Sequence, residues 1–253
     1  MAKRLSRGGL TAIGIGVLAA MGAFGWVVGS NVQGPTPAPS PSVSVAPVPT
    51  PSAPPVDALA AAQAAAFPEG LTGQTDGGAR IDYRPGILVE APFGPVLVNE
   101  GRVRDAAHVD AGTVAVHYLR RDGSGFAVAR AFPEAVVSGS NGAMAEMAVS
   151  DKFSDLPVIY VQGGGTWQGY TCSWTTLTEL RPDGPAELVR FMDGYSNEGA
   201  VEDGAESSAG KIADIVPGRA FTVRFTGTRA FTANYVRRGG KYVLESGEEL
   251  TGC

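Results

Sequence analysis

The stretch GTVAVHYLRRDGSGFAVARAF, from Gly112 to Phe132, is the clearest indication of how this chain folds. Two runs that are rich in β-branched, aromatic and small apolar residues flank the turn-forming sequence RDGSG, which begins at Arg121. Runs of this kind on either side of an Asp-Gly turn are typical of a β-hairpin. The segment therefore predicts a pair of antiparallel strands.

Two later segments have the same form. TTLTELRPDGPAELVRF, residues 175–191, turns at Pro-Asp-Gly-Pro, and FTANYVRRGGKYVLES, residues 231–246, turns at Gly-Gly. The three turns are spaced roughly 60 residues apart, a length that occurs in blade-like β repeats. Three units are too few for an ordinary closed propeller. We therefore predict an all-β fold, either a two-sheet sandwich or a partial blade-like repeat of about three units.

The N-terminal part of the chain predicts a membrane anchor. Lys3, Arg4 and Arg7 are basic, and no charged residue follows until after residue 56. Residues 9–30 are apolar or small, and a helix of about 20 such residues is long enough to cross a bilayer. Because basic residues remain on the cytoplasmic side, residues 1–8 are predicted to be cytoplasmic.

This arrangement predicts a single-pass protein of the bacterial inner membrane, which it contacts through residues 9–30. The domain that follows would lie in the periplasm or outside the cell. The alternative is a signal peptide that is cleaved, which gives a secreted protein. The apolar run is longer than most signal-peptide cores, and it lacks a good cleavage site.

Two segments connect the anchor to the domain. Residues 31–56 form a Pro-rich linker that contains nine of the 18 prolines, and proline prevents both helix and sheet formation. A disordered, extended spacer is therefore predicted there. Residues 57–67 are mostly alanine and predict a short helix. Residues 70–253 are predicted to form the extracytoplasmic β-rich domain.

Cys172 and Cys253 are the two cysteines of the sequence. In an exported domain two cysteines most often form one disulfide bond, and we predict that bond here. The rival interpretation makes Cys172 a nucleophile with His108 or His117 as its base. That interpretation leaves Cys253 without a role, so no catalytic residue is assigned.

The glycine-rich run QGGGTWQG, residues 162–169, is the candidate ligand-binding segment. It lacks the Gly-Lys-Ser/Thr ending of a phosphate loop. Aromatic side chains on a hairpin loop can offer a stacking surface, and we assign Trp167, Gln168 and Tyr170 as ligand-binding residues. The alternative is a flexible loop whose aromatic residues belong to the core.

No metal site or cofactor is predicted. His108 and His117 are the two histidines, and they do not complete a set of metal ligands. The acidic run MDGYSNEGAVEDGAE, residues 192–206, does not fit an EF-hand loop and is predicted to be a solvated acidic loop.

The net charge of −5 makes nucleic acid an unfavourable partner. The features together favour a binding module of the cell envelope over an enzyme, with a glycan or an envelope protein as its partner. One alternative is an envelope hydrolase that uses carboxylates such as Glu198 and Glu202. Another is a structural or assembly protein.

Overall fold

The computed structural model describes residues 56–253, which contain one α-helix and 14 β-strands. Helix α1 spans Val56–Ala66. The first six strands are β1 Thr72–Gln74, β2 Arg80–Tyr83, β3 Ile87–Ala91, β4 Gly94–Val103, β5 Gly112–Asp122 and β6 Gly125–Ser138. The other eight are β7 Glu146–Ser150, β8 Val158–Trp167, β9 Tyr170–Arg181, β10 Gly184–Ser196, β11 Ser207–Val216, β12 Ala220–Gly227, β13 Phe231–Arg238 and β14 Lys241–Ser246.

The strands form two antiparallel sheets. The first sheet has the order β1-β2-β4-β5-β6, and β3 pairs with the same β4. The second sheet contains β7 to β14, and each strand pairs with its neighbours in the sequence. Both sheets are therefore built from hairpins that are joined by short connections.

The all-β prediction is confirmed, and so are the three hairpins. They are β5–β6, β9–β10 and β13–β14, and each turn lies within the predicted turn sequence. The second and third hairpins share one sheet, so they do not form separate blades. The strand pairing thus matches the two-sheet alternative.

The short helix predicted for residues 57–67 is α1. The predicted membrane anchor, residues 9–30, lies outside the described residues, as do residues 1–8 and nearly all of the linker predicted for residues 31–56. Among residues 56–253, no helix is both long and apolar enough to span a bilayer.

One apolar core lies between the two sheets. Val98 and Val116 of the first sheet form one buried cluster with residues of the second sheet, among them Ile159, Val161 and Leu180. Tyr118 also belongs to this cluster, and its hydroxyl donates a hydrogen bond to the Arg181 carbonyl at 2.5 Å. The two sheets are therefore held against each other by apolar burial and by the hydrogen bond from Tyr118 to Arg181.

Helix α1 covers the other face of the first sheet. Leu59, Ala62 and Ala66 pack with Leu97 and Leu119 of β4 and β5. Strand β5 is therefore covered on both faces, and its residues from Gly112 to Leu119 are all buried. Burial on both faces explains why this strand is almost continuously apolar in sequence.

The second sheet curls around its own core. Alternate residues of β12, Phe221, Val223 and Phe225, point into it, together with Tyr235 of β13. The Phe221 and Tyr235 rings are stacked with their centroids 4.9 Å apart. Phe153, from the β7–β8 connection, also enters this core, and its carbonyl accepts a hydrogen bond from Tyr242 of β14.

A buried ion network joins β9 to β13 across the curl. Glu179 on β9 accepts hydrogen bonds from Arg181 at 2.6 Å and from Arg237 on β13 at 2.8 Å and 3.0 Å. The Ser154 hydroxyl also donates to Glu179, and Arg237 donates to Ser154. Since β9 and β13 are not neighbours in the sheet, these bonds hold the curled shape.

The charge of Glu179 is stabilised by these donors. Burial alone would raise the pKa of Glu179, but the hydrogen bonds from Ser154, Arg181 and Arg237 outweigh it and hold the pKa below its ordinary value of 4.5. The ionised carboxylate is thus more favourable in the folded protein than in the unfolded chain. Its contribution to stability is complete above pH 4.5 and is lost as the pH falls through the lower folded-state pKa.

We predict that Glu179→Gln destabilises the protein by about 3 kcal/mol at pH 7, because the partly buried guanidinium groups of Arg181 and Arg237 lose their buried carboxylate partner. The difference between wild type and variant should shrink as the pH falls below 4.5 toward the lower folded-state pKa, because the Glu179 carboxyl of the unfolded chain then binds a proton more readily than that of the folded protein. Urea unfolding at several pH values measures both effects. Glu187→Gln, on an exposed position of β10, is the matched control and should leave stability unchanged. A variant as stable as wild type at pH 7 would contradict the prediction.

Candidate functional site

The C-terminal segment is anchored across the second sheet. After β14 the chain runs back past β10, where the buried side chain of Leu250 enters the core of the curled sheet. The predicted disulfide bond is confirmed, because the Cys172 and Cys253 sulfurs are bonded. Their Cα atoms are 6.5 Å apart, within the usual range for a disulfide. Gly252 packs so closely on the Tyr195 ring that a larger residue would clash with it.

Two hollows flank this segment. The tail cleft has a volume of about 360 Å³ and the aromatic cleft one of about 290 Å³, and Gly252 and Cys253 line both of them. Trp167 and Tyr170 form the rest of the aromatic cleft. The tail cleft is completed by Trp174, Arg190, Phe191, Met192, Tyr235, Glu249, Leu250 and Thr251.

The two tryptophans beside these clefts are held by their neighbours. The Trp167 ring is half-buried, with its centroid 5.9 Å from the His108 ring and 6.4 Å from the Trp174 ring. The His108 Nε2 atom lies 2.7 Å from the Thr166 carbonyl oxygen, which fixes the imidazole against this wall. The Arg190 guanidinium lies 5.5 Å from the centre of the Trp174 ring, in cation–π geometry.

The structure separates the three residues that the sequence assigns to ligand binding. Trp167 and Tyr170 line the aromatic cleft, and 38% of Tyr170 is exposed. Gln168 lines neither cleft. It forms a two-residue turn with Gly169, with φ values of 52° and 85°. Positive φ at both residues is typical of a type I′ hairpin turn, and the Gln168 side chain is exposed at its tip.

The prediction of a flexible glycine-rich loop is wrong. Gly163, Gly164 and Gly165 lie within β8 and pair with β9 along their whole length. Each glycine is needed because another group approaches closely. A side chain at Gly163 would clash with the Ser138 hydroxyl, and one at Gly165 would lie 2.7 Å from the Trp167 ring. The glycines thus permit tight packing.

The sequence predicts a solvated acidic loop for residues 192–206. This prediction is wrong for Asp193, but it is right for the acidic residues from Glu198 onward. Asp193 lies in β10 and is 4% exposed. A β-bulge between Met192 and Gly194 gives β10 one extra residue there, which turns the carboxylate inward. By contrast, Glu198 and Glu202 are exposed on the β10–β11 connection.

Asp193 is the centre of a polar cluster that the sequence did not reveal. Its Oδ1 atom accepts a hydrogen bond from the Ser173 hydroxyl at 2.6 Å. Its Oδ2 atom accepts bonds from Thr175 at 2.5 Å and from the Gln162 amide at 2.7 Å. The alternation of β9 places Ser173 and Thr175 on one face, but the bulge that brings Asp193 to them leaves no clear mark in the sequence.

This cluster lines a third hollow, which we call the Asp193 cavity. Its volume is about 500 Å³. Burial raises the pKa of Tyr160 in its wall, and the nearby carboxylates of Asp193 and Glu146 raise it further, so that its hydroxyl stays protonated. The wall is formed by Glu146, Tyr160, Gln162, Ser173, Thr175, Phe191, Asp193, Gly194, Ala209, Gly210, Lys211 and Ile212.

The two histidines lie in different environments. His108 is exposed and supports the tryptophan wall. His117 is buried on the face of the first sheet beside Phe67, with the two ring centroids 4.9 Å apart. Burial lowers the pKa of His117. Among residues 58–253, no group of three His, Cys, Asp or Glu side chains is placed to hold a metal ion.

No protein-family model, curated protein or solved structure matches this chain. The function is therefore inferred from the geometry of these sites.

We predict that Cys253→Ser lowers the free energy of unfolding by about 4 kcal/mol, since the bond closes a loop of 81 residues in the unfolded chain. Urea unfolding of the oxidised wild type and the variant measures the loss. Reduction of the wild type should reproduce it, while the variant should not respond to reductant. Equal stability of the oxidised and reduced wild type would contradict the prediction.

Proposed function

We propose that this protein is a membrane-tethered binding module of the bacterial envelope and that it binds a glycan in the aromatic cleft. The observation that carries the proposal is the pairing of Trp167 and Tyr170 on the wall of an open hollow, next to a disulfide-anchored segment. Partly exposed aromatic side chains offer an apolar face to a ligand. Because these side chains are rigid, they lose little conformational entropy when the ligand binds.

The neighbouring tail cleft offers groups that suit a polar ligand. Arg190 and Glu249 line it and can donate to and accept from hydroxyl groups. The two clefts meet at Gly252 and Cys253, so an extended ligand can contact both. Apolar stacking with a few polar contacts is the general pattern of small-ligand sites.

The location outside the cytoplasm has separate support. The disulfide bond is of the kind that persists in oxidising compartments. The uncharged segment of residues 9–30 with basic residues before it suits an anchor whose N-terminus stays in the cytoplasm. The Pro-rich segment of residues 31–56 suits an extended spacer between the membrane and the domain.

Glu198 and Glu202 do not favour the alternative of a hydrolase. Both are exposed on the β10–β11 connection, and neither lines any of the hollows described above. A glycosidase needs two carboxyl groups that face each other across a bound sugar. Glu198 and Glu202 therefore do not support hydrolysis, and the proposal for the aromatic cleft is binding.

We predict that Tyr170→Ala weakens glycan binding about tenfold, or about 1.4 kcal/mol, with little change in melting temperature, because Tyr170 is partly exposed. The probe is a β-1,4-linked N-acetylglucosamine oligomer, titrated into the full-length protein and followed by tryptophan fluorescence. Val243→Ala, with similar exposure and outside the clefts, is the control. No response of wild type to this oligomer or to envelope glycan fragments would contradict glycan binding.

The tether is tested by fractionation. We predict that the full-length protein is found in the membrane pellet and that deletion of residues 9–30 removes it from there. Leu18→Arg should weaken insertion, since an arginine at the centre of a membrane helix costs about 3 kcal/mol. Full-length protein in the cytosolic fraction with both thiols open to alkylation would contradict the proposed location.

A further inference from the structure

The second sheet contains two buried carboxylates with opposite surroundings. Glu179, 2% exposed, is bonded to the guanidinium groups of Arg181 and Arg237. Asp193, 4% exposed, is bonded to a hydroxyl of Ser173, a hydroxyl of Thr175 and the amide of Gln162. All three donors to Asp193 are neutral, and no salt bridge to Asp193 exists within residues 58–253.

A buried carboxylate without a cation is costly to the fold. Three hydrogen bonds offset part of the lost hydration, but they do not compensate the charge. The carboxylate has about four acceptor positions, and the three donors occupy three of them. The remaining acceptor position is thus free for a group that enters from the cavity.

The local backbone is arranged to build this site. The bulge in β10 turns Asp193 toward β9. Gly194, the next residue, lies against the Ser173 hydroxyl so closely that a side chain there would displace it from Asp193. Bulges commonly redirect a side chain beside a functional site. Both features lie directly at the Asp193 carboxylate and its Ser173 donor.

The rest of the Asp193 cavity suits a cationic group. Tyr160 contributes an aromatic side chain to the wall, and Glu146 places a second carboxylate at the exposed rim. The Ser173 and Thr175 oxygens donate to Asp193 and keep lone pairs with which they can accept. Lys211 is the one basic residue of the wall, and its side chain is exposed.

We propose that the Asp193 cavity binds an organic cation, an alkyl ammonium or guanidinium group, with the Asp193 carboxylate as its counter-ion. The cation would supply the positive charge that no protein group provides to Asp193 within residues 58–253. Its N–H groups would donate hydrogen bonds to the oxygens of Asp193, Ser173 and Thr175. A volume of about 500 Å³ accommodates a small organic molecule. This site shares only Phe191 with the tail cleft and no residue with the aromatic cleft, so it is independent of the proposed glycan site.

The proposal is tested by titrating the full-length protein with methylguanidinium and methylammonium chlorides at constant ionic strength, by calorimetry. Methylurea, a neutral analogue of methylguanidinium, is the ligand control. We expect at least one cation to bind and methylurea not to bind. Asp193→Asn should weaken cation binding at least tenfold, because the amide keeps the shape and removes the charge. Equal binding of methylurea, or no loss in a folded Asp193→Asn protein, would overturn the proposal.

Two rim variants keep the test decisive if Asp193→Asn does not fold. Both residues are exposed, so neither change should affect folding. Glu146→Gln should weaken cation binding a few-fold, and Lys211→Met should strengthen it a few-fold, since it removes a like charge. The opposite pair of shifts would overturn the proposal, as would an unchanged affinity in both variants.

A second titration distinguishes a basic side chain of a protein partner from a free small cation. A blocked Gly-Arg-Gly peptide is compared with methylguanidinium. Tighter binding of the peptide assigns the site to a basic side chain of a protein partner, and weaker binding assigns it to a free small cation. Loss of oligosaccharide binding in Tyr170→Ala with unchanged cation binding separates this site from the aromatic cleft.

Discussion

The bonds between Glu179 and the two arginines are the constraint on which the shape of the second sheet depends. Neighbouring strands are held by their backbone ladder, but that ladder makes no direct connection between β9 and β13. Arg237 reaches Glu179 from four strands away, and Ser154 brings the β7–β8 connection to the same carboxylate. The curl then encloses the aromatic core around Phe221 and brings the C-terminal segment back to β10, where the disulfide bond can form.

Four alternate residues on one face of β9 make three different kinds of contact. Ser173 and Thr175 contact Asp193, Leu177 lies in the apolar core, and Glu179 is the centre of the ion network. The carboxylates at the two ends of this face thus have different partners, since arginines contact Glu179 and only neutral donors contact Asp193. At one end the fold neutralises its own carboxylate and gains a contact between β9 and β13. At the other it leaves the carboxylate beside a cavity, where an external group can complete the interaction.

Features that follow from local sequence pattern or from the number of cysteines could be predicted, and those that depend on how distant strands come together could not. The hairpin of Gly112 to Phe132 follows from alternation around an Asp-Gly turn, and the bond between Cys172 and Cys253 follows from their number. The position of Asp193 depends on a bulge whose register is set by β9. The glycines from Gly163 to Gly165 suggested a loop, although they serve close packing in a strand.

The order of strands in the second sheet has a consequence for how the chain is made. From β7 to β14, every strand pairs only with its immediate neighbours in the sequence. A chain that emerges from its N-terminal end, during synthesis or export, can therefore complete each ladder as soon as the next strand appears. Little edge would stay open to aggregation with other chains. The Glu179–Arg237 contact must wait for β13, which makes the curl a late event in such vectorial folding.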